Sequence, residues 1–510
     1  MINKICVIGG GTAGACITAY LLKTIENISL VLIDPEEIKP IRVGESGFPS
    51  LPYFNDIVDI SDNEMLIEAS ATPKLGIEFK DFYKIGDTYF HAFNDANLSK
   101  ETLIDGKLFN YDQAERDYEN LNHLYPNKFT YHGYTNLLNI SCLMKNHKVY
   151  YEGLVNKSYH FDPDKYKKLV LRKIDKYENF TRLDDKVQNF NRDEQGTILN
   201  VTTANDKTIA ADLFIDCTGF HGVMESDEDE HKYYDDKLFN DTAFFFKEDY
   251  VSQRDIFFHT LSEGTENGWK WNIPIRNNVS IGYVCSSKYC DPTKYFEEVL
   301  KKHKPITEPK TIKFRPQVLK NVWVKNLVRL GLSSGFLEPL EANGLATVFA
   351  DIAVLANLLK KQKYNALDVK QYNERHVYLF DDTANFILYH YIFTQRRDSE
   401  YWKNISLIDS LYELPKVPAT LTRNECVLFV ESSWKQILWG NNSYNSFNSY
   451  TYDLYEKDKQ LLNDLKNSYG EAINHKVGMR DMILQSSTTF PAYLKDQQKF
   501  YDDMKSKGYS

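Results

Sequence analysis

The chain has 510 residues, with 61 Lys and Arg against 71 Asp and Glu and a net charge of −10. That length is too great for one simple module, and the acidic balance excludes a nucleic-acid protein held by bulk charge. Hydrophobic residues make up 42% and charged residues 26%, an ordinary soluble composition. The 35 Tyr and 30 Phe are many; coding bias toward Lys, Asn, Ile and Tyr accounts for them, and an aromatic-lined pocket is the alternative. No run of 18 apolar residues and no signal-like start is visible, so no membrane association is expected. The seven cysteines are scattered, without CxxC or zinc spacing, which points to a reduced, cytoplasmic protein and no metal.

In chain order, Lys4-Ile5-Cys6-Val7-Ile8 reads as a buried parallel strand. Gly9-Gly10-Gly11-Thr12-Ala13-Gly14 follows and opens a helix. Gly9, Gly11 and Gly14 satisfy GxGxxG: the first makes the tight turn, the second admits a pyrophosphate, the third lets helix and strand pack. The helix N-terminus adds free N–H groups for the phosphates. A second strand, Leu30–Ile33, ends at Asp34, where a ribose-binding carboxylate belongs. Together these predict dinucleotide binding. Ile41-Arg42-Val43-Gly44-Glu45-Ser46 and the later strand ending Asp216-Cys217-Thr218-Gly219 favour FAD; the second resembles the FAD-contacting strand of flavin monooxygenases. Leu327–Leu332 repeats the strand-then-glycine pattern at Gly331 and Leu332.

The expected fold is α/β: a Rossmann-like FAD-binding module of the flavin monooxygenase type, a β-sheet substrate region and a mostly helical C-terminal part. Residues 1–75 form the first part of the FAD module, and 76–155 an insertion contributing to the substrate pocket. Residues 156–360 continue the module with a second sheet, and 361–510 form a helical substrate-binding part. Leu345, Val348, Phe349, Ile352 and Leu355 carry the helical period.

Three segments then resemble flavin-dependent halogenases of the tryptophan halogenase type. Gly268-Trp269-Lys270-Trp271-Asn272-Ile273-Pro274 matches WxWxIP. Gly331 to Glu341, GLSSGFLEPLE, resembles the segment carrying the catalytic glutamate and the halide site. Lys74 in Pro73-Lys74-Leu75-Gly76 stands where the family has its essential lysine. Arg396-Arg397-Asp398 before Tyr401-Trp402 is a softer match; the matches run from residue 1 to about 402, with Trp434 as a further candidate.

The resemblance implies that FADH2, O2 and a halide yield hypohalous acid, which passes through a tunnel to a separate aromatic substrate. Trp269, Trp271, Ile273 and Pro274 would lie beside the flavin and discourage direct oxygen transfer. Lys74 would hold or carry the oxidant; its rival in sequence is Lys80, six residues on. Lysine pKa shifts readily on burial, so ammonium and amine are both accessible. Glu341 would orient the oxidant and take the ring proton, with Glu338 as its rival. His91 and Phe93 resemble the His-x-Phe pair that stacks indole in the family, which suits an indole or phenol substrate.

One departure is specific. The family shows Ser-Thr-Gly after the catalytic glutamate, whereas here Ala342-Asn343-Gly344 follows. Backbone N–H groups of Asn343 and Gly344 could still hold a halide, and loss of two hydroxyls implies a weaker preference for chloride over bromide and iodide. No second GxGxxG is present, so a separate flavin reductase is the expected partner; a homo-oligomer is expected by analogy. An aromatic monooxygenase and a non-catalytic flavin-binding shell are the alternatives.

Overall fold

The computed structural model describes residues 2–37, 45–93, 101–104, 107–110, 148–149, 157–224, 226, 229–250, 256, 258–362, 364–405, 428–430, 433, 434, 437 and 488–507. The apolar run Lys4–Ile8 is a central strand of a six-stranded sheet. Its parallel neighbours are Ser29–Ile33 and Leu213–Asp216; Phe180–Leu183 and Leu327–Arg329 extend the sheet in parallel on either side. The run is apolar at every position because both faces are covered. Ile5 and Val7 pack with the helices, among them Thr12–Thr24 and Asn343–Lys361, while Cys6 and Ile8 pack under the meander Val187–Arg192, Ile198–Thr203 and Thr208–Ile209.

A seven-stranded sheet forms the second layer. Its order is Lys310–Lys313, Thr242–Asp249, Asn278–Cys285, Gly268–Ile275, Thr260–Thr265, Gly76–Lys80 and Thr88–Ala92. All pairs are antiparallel except Thr260–Thr265 with Gly76–Lys80. Alternation puts Trp269, Trp271 and Ile273 on one face with Ala243 and Phe245. Phe244, Phe246, Ile281 and Tyr283 pack on the other. Gly282 pairs with Trp271, and a Cβ there would lie 1.9 Å from the indole. A small three-stranded sheet, in the order Glu45–Ser46, Ser158–Phe161 and Thr72–Lys74, carries Lys74.

Residues Gly76–Lys80 and Thr88–Ala92 complete the large sheet, so the stretch read as an insertion begins with framework strands. Beyond Phe93 only the strands Glu101–Ile104, Lys107–Asn110 and Lys148–Val149 of that stretch are described. The expected helix is Asn343–Lys361, and Val348, Phe349, Ile352 and Leu355 are buried as their spacing requires. The 340–361 segment is long and apolar enough to cross a membrane by length and composition, its most apolar 18-residue window having mean hydropathy 1.6; 56% of that window is buried inside the fold. The 27-residue helix Ala366–Ile392, capped by Asn365, runs from this layer into the core of the large sheet.

Candidate active site

The glycine turn is shaped for a dinucleotide. A Cβ on Gly9 would sit 2.6 Å from the Cys217 carbonyl, and one on Gly14 only 1.9 Å from the Gly9 carbonyl. Gly11 faces open space, with nothing within 4 Å of a Cβ. No side chain caps the Thr12–Thr24 helix at its N-terminus, so its first N–H groups remain available to an anion. The residues present therefore suit the pyrophosphate of FAD. Gly14→Ala is expected to weaken FAD binding about fivefold or more, since overpacking here costs about 1–3 kcal/mol; a fluorescence titration of FAD checks it.

Two further expectations meet the structure near this turn. Asp34 is buried, and its oxygens accept from Lys167 Nζ at 2.7 Å and Arg182 Nη2 at 2.7 Å. A ribose hydroxyl would have to share that carboxylate with two cations of the chain. Asp216 ties its own turn, accepting from the Thr218 N–H at 2.8 Å and the Met224 N–H at 3.0 Å. Arg42 lies outside the described residues, and Glu45 is described only as backbone of its strand.

The Gly331 turn links the glycine turn to a chamber. A Cβ on Gly331 would touch that of Ala13 at 3.2 Å, and the next residue, Leu332, lines a cavity of about 230 Å³. Its walls include Trp269, Trp271 and Ile273, Ser46 and Thr260, and the run Glu341 to Gly344. Glu341 and Ala342 both hold left-handed backbone, φ 68° and 56°, uncommon for residues other than glycine and a marker of functional sites. The Asn343–Lys361 helix starts immediately after, again without a side-chain cap. Asn343 turns its own amide back onto the carbonyls of Glu338 at 3.1 Å and Leu340 at 2.8 Å. Only backbone N–H groups of this helix start are thus offered to an anion, and Gly344 has open space beside it.

Lys74 is fully buried, whereas Lys80 is half-exposed and paired with Glu263 at 2.7 Å. The Lys74 ammonium donates to the Gly47 carbonyl at 3.0 Å and lies 4.8 Å from the centre of the Phe93 ring. Burial pulls its pKa down to about 7, against the opposing field of Glu341. Burial thus brings the amine form within reach near neutral pH.

Glu341 is clamped by two buried histidines. Its Oε2 lies 2.7 Å from His91 Nδ1, and its Oε1 3.0 Å from His390 Nε2, a close contact outside hydrogen-bond alignment. Burial would raise the carboxyl pKa, but His91 and His390 hold it down to about 2. Tyr89 supports the far side of His390, at 2.9 Å from Nδ1. Glu338, by contrast, accepts from Tyr391 at 2.6 Å and Asn240 at 2.7 Å, and burial pushes it up to about 7. It sits in a separate polar network.

His91 therefore faces Glu341, and Phe93 faces Lys74, packing edge-on to Phe48 at 5.8 Å. Phe386, Phe429 and Trp434 continue the aromatic wall beside His91. Arg396 is structural, with its guanidinium on Asp398 at 2.7 Å, the Asp81 carbonyl at 2.7 Å and the Trp402 ring. Sequence reading missed His390, Tyr89 and the Gly47 carbonyl. The signal for Tyr89 was its period-two spacing with His91 and Phe93; a lone histidine inside a long helix gives none. Among the described residues no group of three or more metal-ligating side chains occurs.

The tryptophan halogenase family model matches residues 4–452. Tryptophan 7-halogenase RebH of Lentzea aerocolonigenes is 28% identical over 438 residues, 81% of each chain. Tryptophan 6-halogenase SttH of Streptomyces toxytricini is 28% identical over 425 residues, covering 79% of this chain and 80% of that one. Among solved structures, BrvH, a flavin-dependent halogenase from Brevundimonas sp. BAL3, superposes with a TM-score of 0.82 at 22% identity, covering 98% of this chain and 99% of that one, which shows the shared fold. With its glycine turn, WxWxIP chamber and buried lysine and glutamate on one scaffold, the chain belongs to the tryptophan halogenase family of flavin-dependent halogenases.

Proposed function

We propose that this enzyme halogenates an indole- or phenol-type small molecule, with Lys74 passing on the oxidant and Glu341 taking the ring proton. The observation that carries the reading is the buried cluster of Lys74, Glu341, His91 and Phe93, next to a chamber walled by Trp269, Trp271 and the halide-site helix. Bound FADH2, supplied by a separate flavin reductase, provides with O2 the two-electron oxidation of halide to hypohalous acid.

The chain's own groups do the rest. Lys74 as ammonium hydrogen-bonds the hypohalous oxygen. The halogen bonds to a ring carbon, the oxygen–halogen bond breaks, and the departing hydroxide takes the Lys74 proton to form water. Glu341, kept ionised by its histidines, accepts the proton from that ring carbon as aromaticity returns. Return of this proton to Lys74 completes the balance. The amine form of Lys74 gives a second route, a haloamine. Phe93 and the neighbouring aromatic wall supply the surface on which a flat ring packs. Relatives named as tryptophan halogenases make indoles the first substrates to test.

Halide recognition rests on the N–H groups of Asn343 and Gly344, without hydroxyls from the two residues before Gly344. A site so bare offers less compensation for chloride, the most strongly hydrated of the three heavier halides. In one vessel with equal chloride, bromide and iodide, brominated or iodinated product is expected to equal or exceed chlorinated product. Strict chloride selectivity in that competition would sink the idea.

A further inference from the structure

One buried polar chain beside Lys74 has no part in the steps above. Ser46, His160 and Thr72 stand in register across the three strands of the small sheet. Ser46 Oγ lies 2.9 Å from Thr260 Oγ1, which lies 2.9 Å from His160 Nε2. His160 Nδ1 is 3.3 Å from Thr72 Oγ1, which donates to the Pro274 carbonyl at 2.6 Å. His160 and Thr72 are fully buried, and Thr260 nearly so.

The far end fixes the direction of every bond. A carbonyl has no proton, so Thr72 spends its only proton on Pro274. Thr72 can then only accept from His160, which places the ring proton on Nδ1. Burial, with Lys74 and His259 nearby, keeps the imidazole neutral, so Nε2 carries a lone pair. Thr260 must donate to that lone pair, and its oxygen then accepts from Ser46. Ser46 has thereby committed its proton within the wall, and Ser46 is one of the residues that line the chamber, as are Trp271 and Ile273. Toward the chamber it is an acceptor only.

We propose that Ser46, locked by this chain, is a redox-selective contact that accepts a hydrogen bond from an N–H present in the reduced flavin ring and absent from the oxidised one. The inference rests on the chamber holding FAD. Two-electron reduction places a hydrogen on N5 of the isoalloxazine and turns that position from acceptor to donor. A hydroxyl free to rotate would serve both forms. One locked as an acceptor favours FADH2 and sets its lone pairs against those of FAD. The enzyme then retains the form a reductase delivers and releases the spent one.

The test is binding. Dissociation constants for FADH2, without O2, and for FAD are measured on wild type, Ser46→Ala, Thr260→Val and Thr260→Ser. Wild type should prefer FADH2. Ser46→Ala should weaken FADH2 about tenfold, the size of one hydrogen bond, and leave FAD unchanged or bound more tightly. Thr260→Val frees the Ser46 hydroxyl and should narrow the preference, while Thr260→Ser keeps the chain and the preference. Imidazole ¹⁵N shifts, assigned with His160→Gln, should show the Nδ1–H tautomer at His160. Equal loss for both flavin forms in Ser46→Ala, no loss in either, or an Nε2–H tautomer would overturn the proposal. Wild type that binds neither form would overturn the cofactor reading and this proposal with it.

Discussion

Lys74→Met should lower aromatic halogenation by about 10²–10⁴-fold, the usual range for a positioned proton donor, while FADH2 oxidation in the presence of halide continues. Met fills a similar volume and carries no amine. The chamber, the glycine turn and the Asn343–Lys361 helix do not contain Lys74, so generation of the oxidant is expected to be separable from its use. Product by mass, alongside NADH consumed through the coupled reductase, measures both. Parallel loss of the two would place Lys74 in oxidant formation instead.

The same variant has a signature in stability. The Lys74 pKa falls from 10.5 to about 7 on folding. Between those values the unfolded chain binds a proton that the folded one does not, so stability rises with pH across that window. Below about pH 7 the buried amine costs about 4–5 kcal/mol, at 1.36 kcal/mol per unit. Lys74→Met is therefore expected to unfold at higher denaturant than wild type at pH 7, with the gap closing toward pH 10. Urea midpoints at several pH values read this directly.

Glu341→Gln should cost activity on the same scale, about 10²–10⁴-fold, because an amide cannot take the ring proton. It also takes the carboxylate away from His91 and His390. The carboxyl sits at about 2 in the folded chain against 4.5 ordinarily. Its contribution to stability is complete above about pH 4.5 and is lost as pH falls toward 2, about 3 kcal/mol in all. Glu341→Gln should lack that contribution at pH 7, and its unfolding should be less sensitive to acid between those values. Equal acid sensitivity of variant and wild type, by urea denaturation, would contradict the lowered Glu341 carboxyl.

Much of this was legible because it is local. GxGxxG, WxWxIP and the segment around Glu341 each compress one turn or strand into consecutive residues. Lys74 could be singled out by resemblance, and its burial then separated it from Lys80. The clamp on Glu341 was not legible. His91 lies 250 residues from Glu341, and only the pairing of Gly76–Lys80 with Thr260–Thr265 and the reach of the Ala366–Ile392 helix bring His91, Glu341 and His390 together. The two cationic partners of Asp34, Lys167 and Arg182, were not legible either, since they arrive from another part of the chain. The place of Gly76–Lys80 and Thr88–Ala92 in the large sheet was not legible either, because strands that close a sheet from a distance carry no marker of their partners.

The most direct measurement is a product assay with purified protein, FAD, a flavin reductase, NADH and O2, presenting chloride, bromide and iodide separately to a panel of indoles and phenols. Halogenated product that requires halide and disappears in Lys74→Met is the predicted result. Hydroxylated product formed without halide, or halogenation undiminished in Lys74→Met, would contradict the account.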